Sequence, residues 1–171
     1  GLFHPQAAGA QQGTVLSYQK ISDTAGNFTA GIDDLDELGG ALASLGDLDG
    51  TGPAVSALAV GAAVDDDGVA DGGAIYILFL NSAGGVLSYK KICRNTGGFT
   101  ATIDADDEFG SSIAFLGDLD GSGPSVAAIA VGAIGDDDGG TDRGCVYILY
   151  LNAAGTVIRH TKISDTAGNF T

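Results

Sequence analysis

The chain has 171 residues, 44% of them hydrophobic and 17% charged, which supplies a sizeable core and excludes wholesale disorder. Twenty-two acidic against seven basic residues leave a formal charge of −15. That balance argues against a nucleic-acid groove or an anionic membrane surface as the main partner and makes cations the natural counterpart. Twenty-nine glycines against three prolines describe many tight turns between short elements, not a helical bundle. No apolar run reaches the roughly 18 residues needed to span a membrane. Methionine is absent even at position 1, as expected of a processed product or an excerpt. Cys93 and Cys145 are too few for a disulfide framework or a zinc site, and read equally as a staple between repeats or as two buried thiols.

Residues 1–12, "GLFHPQAAGAQQ", stand outside any pattern and read as a leader or arm. From Gly13 the chain is periodic. A shift of 71 lays 35–92 on 106–163 without a gap, and 34 of the 58 positions are identical. A shift of twice that length matches Lys20–Thr29, "KISDTAGNFT", letter for letter with Lys162–Thr171. Residues 13–34 are therefore the tail of a preceding repeat, 35–105 form one repeat, and 106–171 form a second plus the start of the next.

Each repeat reads as four short strands separated by glycine and aspartate turns. In the first repeat they are expected at about Ala41–Leu45, Val55–Ala62, Ala74–Leu80 and Val86–Ile92. The second and third are apolar on both faces, the third is rich in β-branched and aromatic residues, and the fourth carries Lys90 and Lys91. Strands apolar on both faces need cover on both sides. The expected fold is accordingly all-β: four-stranded propeller-type blades, two full and one partial, too few to close a wheel of typically about four to eight. The segment from Gly13 is expected to be an outer strand that has lost its own blade.

"LGDLDGTGP" (Leu45–Pro53) and "LGDLDGSGP" (Leu116–Pro124) carry the candidate metal ligands. Calcium takes six to eight oxygens, and loops supply them from alternate residues because consecutive side chains diverge. Alternate positions offer Asp47, Asp49, Thr51 and the Pro53 carbonyl in one copy, and Asp118, Asp120, Ser122 and the Pro124 carbonyl in the other. The competing reading is a glycine turn whose aspartates cap backbone amides. A second acidic run, Asp65–Asp67 and Asp136–Asp138, reads chiefly as a hydrated face.

These motifs resemble the FG-GAP repeats of the integrin α-subunit propeller and its bacterial relatives. The residues that carry the resemblance are Leu38-Gly39 and Phe109-Gly110, the "GDLDG" loops, and "AVGA" ending at Ala62 and Ala133. "GGAIYIL" and "RGCVYIL" complete the order. The resemblance implies one blade per repeat and calcium bound through a D-x-D-x-D-G-x-x-D loop. The chain departs from that pattern: Thr51 and Ser122 stand at the fifth position, Val55 and Val126 at the ninth, and the motif's proline is missing.

No nucleophile elbow, phosphate loop or histidine pair at metal spacing occurs, and His4 and His160 read as surface residues. The expectation is a non-enzymatic, calcium-stabilised, extracellular or cell-surface repeat protein. It would assemble head to tail into a ring or filament, with donation of a terminal strand as one route, or mediate adhesion through a protein or glycan ligand. The alternative is a ligand- or carbohydrate-binding propeller module associated with a hydrolase. Asn27 and Asn169 fit the N-glycosylation pattern, which chance also supplies.

Overall fold

The computed structural model describes residues 13–52, 55–121 and 126–170, and among them every regular element is a strand. In chain order these are β1 (Leu42–Gly46), β2 (Ser56–Ala62), β3 (Ala74–Leu80), β4 (Val86–Ile92), β5 (Phe109–Gly117), β6 (Val126–Ala133), β7 (Cys145–Asn152) and β8 (Val157–Ile163). They build two open four-stranded antiparallel sheets, each in sequential order, β1-β2-β3-β4 and β5-β6-β7-β8. Among the described residues no helix is long and apolar enough to cross a membrane.

The hairpins close for a local reason. Asn81 Oδ1 accepts the N–H groups of Ala83 and Gly85 after β3, and Asn152 does the same for Ala154 and Thr156 after β7. A side chain that bonds its own turn in this way fixes the reversal at one residue.

Residues 13–20 differ from the expected outer strand. They form no strand, and Val15, Leu16 and Tyr18 are exposed. Their counterpart β4 is held by β3, whereas among the described residues no strand stands beside 13–20. An isolated strand has no ladder and no apolar cover to hold it.

Alternation along the strands gives each sheet two apolar faces. In the first sheet Ala57 pairs with Phe79 and Ala59 with Ile77 on one face, while Leu58 pairs with Leu78 and Val60 with Tyr76 on the other. The first face packs against Ile129, Val131, Tyr147, Leu149 and Leu151 of the second sheet, and Leu45, Leu48, Phe99, Ile103 and Phe109 complete this core. At its closest point a Cβ on Gly61 would overlap the Gly110 carbonyl. Only glycine lets the two backbones approach so nearly. The other face of the first sheet is partly covered by Phe28, Ala30, Ile21, Ile32 and Leu38 from the segment before β1.

Candidate functional site

The "GDLDG" loop joins β1 to β2, and its glycines Gly50 and Gly52 adopt φ of 68° and 101°. Thr51 donates its hydroxyl to Asp49 Oδ1 at 2.8 Å and its N–H to the same atom at 3.1 Å. Gly52 donates its N–H to Asp47 Oδ2 at 3.1 Å. The Thr51 hydroxyl, and then its N–H, hold the Asp49 carboxyl below the usual carboxylate range. Asp47 and Asp49 are thus brought together around one turn, each accepting a backbone amide as the amide-capping reading requires; Asp47 is exposed and Asp49 half-buried.

In the second loop Arg159 of β8 reaches Asp120 at 2.5 Å while its guanidinium stacks 3.6 Å from the Tyr150 ring. Ser88 holds the equivalent place in the first repeat. Among the described residues no such ion pair is formed with Asp47 or Asp49 of the first loop. Asp118 is exposed beside it. Pro53, Ser122 and Pro124 lie outside the described residues.

The second acidic run does not behave as a hydrated face throughout. Asp65 is 1% exposed and Asp136 3%. Asp65 Oδ2 accepts Lys91 Nζ at 2.6 Å and the Tyr76 hydroxyl at 3.0 Å, and Lys91 also pairs with Asp67. Lys162 meets Asp136 and Asp138 in the same way. Each ammonium lies over a tyrosine ring, Lys91 at 5.3 Å from Tyr76 and Lys162 at 5.5 Å from Tyr147. Burial by itself lowers the Lys91 ammonium, but its hydrogen bonds to Asp65 and Asp67 prevail and raise it; Lys162 is raised likewise by Asp136 and Asp138. Burial raises the Tyr76 and Tyr147 phenols. This is a structural clamp tying the loop after the second strand to the fourth strand. Its signal was present in the sequence: Lys20, Lys91 and Lys162 recur, while the preceding position varies as Gln19, Lys90 and Thr161.

A third grouping escaped the sequence reading. Asp33, Asp66 and Asp67, all exposed, bring carboxylate oxygens within 4.8 Å of one another. Three hard oxygens at that spacing suit a divalent cation such as calcium. Asp33 and Asp66 are 33 residues apart in the chain, and only the fold makes them neighbours.

Both cysteines are free and buried. Burial raises the Cys93 thiol and pushes Cys145 up to about 12, which keeps both protonated and unreactive. His160 packs at 5.1 Å against the Phe99 ring and shares a 3.1 Å hydrogen bond with Thr100.

The sheets and loops together define an all-β tandem-repeat protein in which clamps and acidic turns recur at matching positions. Comparison with protein-family models and with curated proteins returns no match.

Proposed function

We propose that this chain is a non-enzymatic stacking module: propeller-type blades of FG-GAP character that build a larger assembly through head-to-tail contacts. Calcium held by the acidic loops would stabilise it, and an extracellular or cell-surface setting belongs to the same proposal.

One observation carries the reading. Leu45, Leu48 and Ile75 of the first repeat lie in the interface between the sheets, at 3%, 4% and 0% exposure. Their equivalents Leu116, Leu119 and Val146 stand on the uncovered face of the second sheet at 40%, 52% and 39%. The same apolar positions are thus satisfied once and left open once. Leu42 and Leu58, on the opposite face of the first sheet, match Ile113 and Ile129, which the interface covers more fully. The molecule presents one half of its own internal interface at each end. Two different, mutually complementary ends make a heterologous contact, which closes as a ring or extends as a filament. An open groove of about 400 Å³ lies at the Val146 end of this face, lined by Ile134, Cys145, Val146 and Phe170 and by the paired Arg143 and Asp165, and its largely apolar walls suit a packed sheet.

Light scattering across a concentration series, with electron microscopy of the same samples, tests the proposal. Oligomers that grow with concentration are expected, and Val146→Asp, at an exposed site, should abolish them without loss of fold. A wild-type chain that stays monomeric throughout would overturn it.

A further inference from the structure

Phenylalanine recurs in the same local sequence at Phe28, Phe99 and Phe170. Phe28 is 1% exposed and stands edge-on to Tyr76 at 5.5 Å and to Tyr89 at 5.2 Å. Phe99 is fully buried and takes the corresponding place on the second sheet, edge-on to Tyr147 at 5.2 Å and to His160 at 5.1 Å. The glycine two residues earlier adds a backbone bond in each case. Val86 donates its N–H to Gly26 at 2.8 Å, and Val157 donates to Gly97 at 2.9 Å. One carbonyl and one ring from the tail of a repeat thus grip the outer strand of the following sheet.

Among the described residues the third copy of this latch meets no such tyrosine. Phe170 is 68% exposed. Its turn is nonetheless formed: Ser164 and Ala167 exchange backbone bonds of 3.1 and 3.3 Å, as Ser22 and Ala25 do at 3.1 Å each. A latch folded before it meets its partner loses little conformational freedom on docking.

Resting on the stacking reading above, we propose that residues 162–170 of one copy dock on the first sheet of a second copy, displacing that copy's own residues 20–28. The two segments are identical from 20 to 29 and from 162 to 171, so the acceptor cannot distinguish them by chemistry. The resident latch holds its place through effective concentration alone. The free chain therefore occludes its own acceptor, and the incoming latch gains when stacking of the sheet faces adds to it. The partner is a second copy of this chain, and residues 20–28 regulate its entry.

A fluorescein-labelled peptide KISDTAGNFT, titrated into Phe28→Ala and wild-type chains, reads the exchange directly. It should bind the variant at least about tenfold more tightly, because the resident latch no longer competes, and alanine in place of its phenylalanine should abolish binding. Equal affinity of the two peptides would overturn the proposal. Because Phe28→Ala removes a buried ring, a second measurement uses the Gly85→Cys/Asn169→Cys chain, which keeps Phe170: in the resident latch the side chain of Asn27, the counterpart of Asn169, lies 3.7 Å from where a Cβ on Gly85 would stand. Mild oxidation should give a ladder of linked copies that neither single variant gives and that excess peptide suppresses. Wild-type oligomers in light scattering without a ladder would sink the latch and leave stacking intact; a monomer without a ladder would sink both.

Discussion

The Lys91 ammonium lies 2.6 Å from the buried Asp65 carboxylate, and one repeat later Lys162 meets Asp136 in the same arrangement. Neither carboxylate would be tolerable at that depth alone, since an unpaired buried charge is far more costly than a paired one. Lys91→Met is expected to destabilise by about 3–5 kcal/mol. Adding Asp65→Asn should restore much of the loss, because the amide can still accept from Tyr76. Urea unfolding of the two singles and the double measures the coupling; additive losses would show that the clamp is not a unit.

The same clamp fixes the response to alkali. Lys91 is raised above its ordinary value of 10.5 in the folded chain and Tyr76 above 10.0. In both cases the folded state binds more protons than the unfolded chain at high pH. Their contributions are fully present below about pH 10 and are lost as pH climbs through the folded values. Thermal melts should fall steeply above pH 10, and less so in Lys91→Met, whose clamp is already gone.

The linkage keeps the same sign on the acid side at Asp36 and Asp107. Burial raises both above the ordinary 3.8, so each penalises the fold at neutral pH and the penalty eases on acidification through the raised values. Asp107 Oδ2 accepts the Asp104 N–H at 2.8 Å, a bond that an amide oxygen can also make. Asp107→Asn should therefore melt a few degrees higher at pH 7, with a flatter stability profile near pH 4. A lower melting temperature at pH 7 would mean that the charge itself is needed.

Leu48 and Leu119 hold equivalent positions with opposite fates, 4% and 52% exposed. Leu48→Ala should cost about 2–5 kcal/mol in urea unfolding, as a cavity in the core between the sheets. Leu119→Ala should stay within about 0.5 kcal/mol in the dilute chain. Under conditions where copies associate, Leu119→Ala should weaken association instead. Comparable losses of monomer stability would place Leu119 in a covered core.

How much of this was legible in the sequence differs by the kind of pattern involved. β3 and β4 run from Ala74 to Leu80 and from Val86 to Ile92, as expected, because a doubly apolar run bounded by an asparagine-glycine turn leaves little freedom of placement. Which acids are buried was not legible: Asp65, Asp66 and Asp67 are the same letter, yet only the first is buried. Its partner is 26 residues away, and strand register decides the matter. Phe28 was hidden for a related reason, since its cover comes from the sheet that follows it.

The two acidic loops look alike in sequence and are electrostatically unequal. Asp120 already faces the Arg159 guanidinium, anchored on Tyr150, whereas the first repeat has Ser88 at that position. A cation entering the second loop must displace or tolerate an existing positive charge; one entering the first meets none from that residue. Calcium is therefore expected to fill the Asp47–Asp49 loop first. Arg159→Ser should improve the second loop by about 1 kcal/mol, roughly fivefold in Kd, and Asp49→Asn should remove the tighter phase. Calorimetric titration of the three chains distinguishes the loops. Melting in the same calcium series reports whether binding stabilises the fold, as a ligand selective for the native state must. Two equal phases in the wild-type chain, unmoved by Arg159→Ser, would show that the guanidinium does not guard the second loop.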